Sequence, residues 1–208
     1  FTAVYSVVII NAFNLIDGVD GLLILLSILF LCLFIIIGYG SAGLGFILSI
    51  IMIAVLCSIF FFNRHPAKFF LGDSGSMAVG WTIAVITLDL SINHTSRFVD
   101  VVLVIMLPTF DLICVAIYRF RSSKGSIFKK LNSIKNPDRN HIHHILMSRG
   151  YSINYSIIII LVISSALFSF YYIFNNLVDG IGIWTDRYVF EYLSIFYVSM
   201  VTIIGESL

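Results

Sequence analysis

Apolar runs about as long as a bilayer is thick recur from one end of this chain to the other, and nothing restricts its fold more. A helix crossing the hydrocarbon core needs ~20 mostly apolar residues at 1.5 Å each. Runs of roughly that length occupy 1–16, 22–39, 44–62, 77–92, 99–120, 156–174 and 188–204. Their number predicts an all-α, polytopic transmembrane helix bundle of about seven spans, with its chemistry in the connecting loops. Of the 208 residues 60% are hydrophobic and 11% charged. A soluble domain carries roughly 25% charged residues, so a water-facing shell cannot be built from this chain. Cys32, Cys57 and Cys114 lie inside apolar runs without CxxC spacing, which fits small buried hydrophobes better than a redox or metal pair. Phe1 already stands in an apolar run, with no charged segment and cleavage site behind it. The expectation is that this run is no signal peptide and that the chain begins partway through a larger protein.

Basic residues set the expected orientation. If the helices alternate, one side receives Arg64, Lys68, Arg119, Arg121, Lys124, Lys129, Lys130, Lys135, Arg139 and Arg149. The other receives only Arg97 and Arg187. By the positive-inside rule the first side is cytoplasmic, and the chemistry is to be sought there.

Polar residues collect in three segments of that side. In Asn11-Ala-Phe-Asn14-Leu-Ile-Asp17-Gly-Val-Asp20-Gly21, residues three apart are neighbours on a helix, so Asn11, Asn14 and Asp17 form a slanting polar ridge. Asp20 would point away on an ideal helix, unless Gly18 and Gly21 let the backbone turn it back. Capping and turn formation is the plainer reading, yet capping does not require two Asn and two Asp in register at membrane depth. The second segment runs from Asn63 through Pro66 and Lys68 to Gly72-Asp73-Ser74-Gly75-Ser76, at the start of an apolar helix. Free N–H groups there suit phosphate oxygens, and Asp73 is a natural Mg2+ ligand, since Mg2+ combines one or two carboxylates with waters and substrate phosphates. An interfacial loop with Asp73 or Ser74 as a helix cap is the alternative. In the third segment, Asp138-Arg139-Asn140-His141-Ile142-His143-His144, the histidines lack nearby Cys or clustered carboxylate partners for structural zinc. With Arg139 they suit hydrogen bonding to a diphosphate better. The basic run between Arg119 and Lys135 reads mainly as a topology signal touching anionic lipid.

Asp111 follows Pro108 inside an apolar run, where an acid is costly, and a functional and a packing role both remain open. His65 and His94 have no comparable context, and Asp89 reads as interfacial.

In order and spacing, the motifs Asn11-x-x-Asn14-x-x-Asp17-Gly-x-Asp20-Gly, Asn63-x-x-Pro66-Ala-Lys68-x-Phe-x-Gly72-Asp73-x-Gly75-Ser76 and Asp138-Arg139-x-His141-Ile-His143-His144 resemble those of the polyprenyl-phosphate N-acetylhexosamine-1-phosphate transferases. The His-Ile-His-His form is most similar to the branch that begins O-antigen, common-antigen and teichoic-acid lipid intermediates. The resemblance implies transfer of N-acetylhexosamine-1-phosphate from a UDP-sugar to undecaprenyl phosphate, with release of UMP, at the cytoplasmic face of the bacterial inner membrane. It implies Mg2+ as cofactor, with Mn2+ as a substitute, held by Asp73. Asp17 and Asp20 join Asp73 as the catalytic set. Asn11, Asn14, Asn63, Lys68, Arg139, His141, His143 and His144 are the expected substrate-binding residues. The expected partners are the UDP-N-acetylhexosamine, undecaprenyl phosphate and the lipid bilayer, with a homodimer allowed and no nucleic acid. Residues 1–208 then form a single integral membrane domain lacking the N-terminal helices of the full-length family and their upstream acidic pair. The alternative is an inactive truncated fragment of such a transferase. A transporter would deploy intramembrane charge differently.

Overall fold

The computed structural model describes residues 1–38, 43–93, 98–122 and 141–179, and all regular structure among them is helical. Eight helices follow one another in the described residues: α1 (Thr2–Ile16), α2 (Leu22–Ile37), α3 (Leu44–Asn63), α4 (Gly72–Asn93), α5 (Phe98–Val104), α6 (Met106–Ser122), α7 (Ile142–Ser148) and α8 (Ile153–Asp179). Among the described residues three segments, Leu44–Asn63, Gly72–Ile92 and Ile153–Ile173, are long and apolar enough to cross a bilayer. The expected all-helical membrane bundle is present, and its described runs differ from the expected ones in detail. α1 and α2 hold 15 and 16 residues, about 24 Å at 1.5 Å per residue, short of the ~30 Å hydrocarbon core. The expected run 99–120 is divided between α5 and α6. Pro108 is the cause: it has no N–H for the carbonyl four residues back, and its ring crowds that carbonyl. The Thr109 hydroxyl donates to the carbonyls of Ile105 and Met106, 2.9 Å from each, beside the break. The expected run 188–204 lies outside the described residues.

α2 is apolar all round and stands in the middle of the bundle. Leu22, Leu23, Ile24, Leu26, Phe30, Leu31 and Phe34 are all buried, as a helix without a polar face must be. α3 is the opposite case, with Leu44, Ile47, Ile50, Ile51 and Val55 exposed along its length. Such a surface is stable against lipid tails and not against water.

The closest helix pair is α1 against α4, and it is antiparallel. The Tyr5 hydroxyl donates to Thr87 Oγ1 at 2.8 Å, while further along α1 and back towards the start of α4 Asn14 meets Asp73 and Ser76. Gly80 makes the approach possible. A Cβ there would stand 2.9 Å from Ile10 Cα and 3.1 Å from Phe13 Cβ, and backbone cannot swing aside as a side chain can. Small residues at membrane helix contacts serve this purpose. Gly80→Val is therefore expected to splay α1 from α4 and destabilise the protein by about 1–3 kcal/mol, read as a lower Tm in detergent. An unchanged Tm would contradict the tight contact.

The antiparallel pairing brings the C-terminal end of α1 beside the N-terminal end of α4. Gly21, just before α2, donates its N–H to Asn63 Oδ1, at the end of α3, at 3.0 Å. The α1–α2 turn, the α3–α4 connection and the first turn of α4 thus meet at one end of the bundle.

Candidate functional site

At the centre of that end stands Asn14. Its Nδ2 donates to Ser76 Oγ at 2.8 Å and reaches Asp73 Oδ1 at 3.3 Å, while the Ser76 hydroxyl donates to the Asp73 carbonyl at 3.1 Å. Asp73 lies in the first turn of α4, with its side chain exposed. Asp17, the residue that ends α1, is half-buried and close enough to feel the charge of Asp73. Burial first, and the Asp73 carboxylate second, push the Asp17 carboxyl up to about 6. A carboxylate raised in this way is destabilised in its charged form. The metal-free protein accordingly loses stability as pH rises from the ordinary carboxylate range through about 6.

Asn63 and Asp20 hold the loops on which this pair rests. Asn63 is buried and spends both ends of its amide on backbone: Oδ1 accepts from Gly21 N–H, and Nδ2 donates to the Phe69 carbonyl at 2.8 Å. Asp20 turns to the α3–α4 connection, where its Oδ2 lies 2.8 Å from His65 Nδ1 and accepts the Ala67 N–H at 3.1 Å. The hydrogen bond with His65, helped by that from Ala67, holds the Asp20 carboxyl below the usual carboxylate range. It therefore contributes stability that is complete above the ordinary carboxylate pKa and is lost as pH falls through the lowered value. Asp20→Asn is expected to lower Tm at neutral pH, with the deficit fading on acidification through that range. A deficit independent of pH would contradict the assignment.

The third motif arrives through α7. His141 and His143 are buried, and their rings stack 5.9 Å apart with planes 6° from parallel. The His144 ring stands 4.3 Å from that of His143. His143 packs against the α1–α2 turn, so closely that a Cβ on Gly18 would fall 2.9 Å from its Nε2. Among the described residues neither His143 nitrogen has a hydrogen-bond partner. Burial, then the neighbouring His144 and His141, lowers its pKa to about 3, so it is a neutral imidazole throughout the physiological range. His141 is held by Asp111, the acid whose role the sequence left open: Nδ1 and Asp111 Oδ2 are 2.7 Å apart.

Of the site residues expected from sequence, Asn14, Asp17 and Asp73 come together, and His143 adjoins them through Gly18. Asn63 and Asp20 brace the two connections. Lys68 is exposed on the α3–α4 connection. Asn11 is exposed and donates back to the Val7 carbonyl at 2.7 Å, away from the cluster. Arg139 lies outside the described residues. Sequence reasoning passed over His65, which pairs with Asp20, and its position three residues before Lys68 was the available signal. It read Gly18 as a source of backbone freedom, whereas Gly18 is also the space that His143 occupies. Asp89, read as interfacial, accepts the Gly45 N–H at 2.7 Å, beside the start of α3.

The donor set suits one kind of metal. Among the described residues no three His, Cys, Asp or Glu side chains are grouped to hold an ion, and the histidine rings stack instead of converging on a point. Mg2+ does not need such a cage, because waters and substrate phosphates supply most of its oxygen ligands. The Asp73 carboxylate, with Asp17 beside it, would be the donors offered to such an ion, and the unfavourable charge of the pair is what a divalent cation would relieve.

A helical membrane protein thus gathers a carboxylate pair, amide and hydroxyl donors and histidine rings at one end of its bundle. Residues 1–91 match the family model described as glycosyl transferase family 4. Over 198 residues, 94% of this chain and 52% of the relative, the sequence is 34% identical to a Bacillus subtilis protein named probable undecaprenyl-phosphate N-acetylglucosaminyl 1-phosphate transferase. It is 35% identical over 122 residues, 58% of this chain and 36% of the relative, to a phospho-N-acetylmuramoyl-pentapeptide-transferase of Streptococcus agalactiae. It is 29% identical over 167 residues, 77% of this chain and 43% of the relative, to the undecaprenyl-phosphate alpha-N-acetylglucosaminyl 1-phosphate transferase of Escherichia coli K12. The similarity to glycosyl transferase family 4 lies in residues 1–91, which carry the Asn14, Asp17, Asn63 and Asp73 motifs. It spans about half the length, or less, of these curated relatives.

Proposed function

We propose that the protein containing this chain transfers an N-acetylhexosamine-1-phosphate from a UDP-sugar to a polyprenyl phosphate, undecaprenyl phosphate in bacteria, and releases UMP. The observation that carries this reading is the meeting of three sequence-distant motifs at one end of the bundle: Asp17 and Asn14 from the end of α1, Asp73 and Ser76 from the start of α4, and His143 from α7. The relatives' names supply the reaction class and the polyprenyl-phosphate acceptor. The excess of basic residues on this side of the chain favours a cytoplasmic site in the inner membrane.

Phosphoryl transfer asks little covalent chemistry of a protein and depends on positioning and neutralised charge. In this reading Asp73, with Asp17, holds Mg2+. Bound there, the metal supplies charge neutralisation for a diphosphate and for departing UMP. The residues of the chain do the remaining work. Asn14 fixes the side chain of Asp73 and, through Ser76, the first turn of α4. His143, neutral and unpartnered, offers a ring N–H to a phosphate or sugar oxygen without adding a cation. Asp20 and Asn63 keep the two connections at fixed separation, so that groups delivered by α1 and α4 meet the same substrate.

Membranes carrying the protein are expected to convert a UDP-N-acetylhexosamine to UMP and an organic-extractable sugar diphosphate when given undecaprenyl phosphate and Mg2+. UDP-GlcNAc and UDP-GalNAc are the donors to try first. Release of UMP without a lipid-linked product, or no reaction with either donor, would overturn the proposal.

A further inference from the structure

An acid inside an apolar helix is retained only where its charge is fully engaged. Asp111 of α6 is 4% exposed, and both of its oxygens are occupied by one short stretch of chain. Oδ2 lies 2.7 Å from His141 Nδ1, and Oδ1 accepts the Ile142 backbone N–H at 3.0 Å. These partners stand 30 and 31 residues further along the sequence. A single carboxylate thus takes hold of both the side chain before α7 and the first amide within it.

That grip fixes more than an anchor point. α7 has seven residues, too few to hold a helical conformation or a position unaided. With His141 pinned, the His143 ring lies stacked on it and is pressed against Gly18 of the α1–α2 turn, one residue from Asp17. His143 is 1% exposed, and both its nitrogens are unpartnered among the described residues, a cost that a purely structural core would shed by using an apolar residue. The position of that orphaned ring is set through His141 by Asp111.

We propose that Asp111 is a positioning residue: its carboxylate keeps a proton on His141 Nδ1 and seats α7, so that His143 faces the sugar-nucleotide side of the site. Its kinetic consequence rests on the transferase reading above, whereas the state of the His141 ring does not. Asp111 itself touches no substrate. An asparagine in its place offers one acceptor where the carboxylate offers two, and must turn an N–H toward either His141 or the Ile142 amide.

The test uses the protein in lipid nanodiscs with 15N-labelled histidine rings, the His141 signals being assigned by their loss in His141→Asn. Wild type is expected to show Nδ1 protonated and hydrogen-bonded at neutral pH. In Asp111→Asn that signature is lost or divided between the two nitrogens. Partners that orient a histidine are worth about 10–100-fold in activity where it is a metal ligand. A fall of at least about tenfold in kcat/KM for the UDP-sugar is expected on that basis, with KM for the lipid phosphate unchanged. A general loosening of the fold would move both. An unprotonated Nδ1 in wild type overturns the proposal, including the case where Asp111→Asn does not fold. A folded Asp111→Asn protein with unaltered ring signals, or with donor and acceptor parameters changed alike, overturns it as well. Wild-type protein that transfers no sugar phosphate but keeps the Nδ1 proton would refute the transferase reading and support the anchoring.

Discussion

Asp73→Asn is expected to lower UMP release by at least about a hundredfold, the scale on which loss of one preorganised charge-stabilising group is felt in acyl transfer. The substitution keeps the shape of the side chain and its ability to accept from Asn14 Nδ2, now 3.3 Å from Oδ1, so the first turn of α4 should hold. What it removes is the negative charge at the one exposed carboxylate of the cluster. Two further changes should accompany the loss. Added Mg2+ stabilises the folded protein by RT ln(1 + [Mg2+]/Kd) if it binds only that state, so the rise in Tm between EDTA and Mg2+ expected of wild type should vanish. Asp17, relieved of its charged neighbour but still half-buried, should titrate lower than about 6 yet remain above the ordinary value. A fully active Asp73→Asn variant would sink the metal assignment and leave the carboxylate as a helix cap.

Gly18→Ala carries the second large effect, and its cause is separable from backbone strain. Gly18 is not among the glycines with positive φ, so alanine can adopt its conformation. The added methyl would fall 2.9 Å from His143 Nε2, 3.6 Å from Cε1 and 3.8 Å from Cδ2. A ring at a free chain end could give way cheaply. His143 cannot, because it is stacked on His141, which Asp111 holds, and has the His144 ring 4.3 Å away. Either the ring or the α1–α2 turn must shift, and the turn carries Asp17. A displacement of about 1 Å at a reacting centre can cost about a hundredfold in rate, while overpacking of this kind costs about 1–3 kcal/mol of stability. The expected result is a folded protein of somewhat lower Tm, with transfer reduced about a hundredfold. Wild-type activity in Gly18→Ala would show that the histidine segment and the carboxylate pair work independently.

Much of the architecture was legible because it follows from local pattern. Apolar runs of bilayer length give α3, α4 and α8, and Pro108 marks where the expected run 99–120 divides. The polar ridge on α1 was legible through Asn14 and Asp17. Its third member was not, since spacing alone cannot tell that Asn11 lies on the exposed side and bonds its own helix. Partnerships across long stretches of chain were also invisible. Asp20 with His65 and Ala67, Asn63 with Gly21, and Asp111 with His141 join residues 30 to 47 apart, and such pairs leave no periodic trace. The sequence could show that an acid at Asp111 needed a partner. Only the packing of α7 against α6 says which one.

Everything functional in this account depends on the ends of α1 and α4 forming one divalent-cation site. Mn2+ in place of Mg2+, followed by electron paramagnetic resonance on the purified protein, tests that directly. The account predicts one bound Mn2+ per chain, displaced by Mg2+, and lost or greatly weakened in Asp73→Asn. Equal Mn2+ binding by wild type and Asp73→Asn would contradict it.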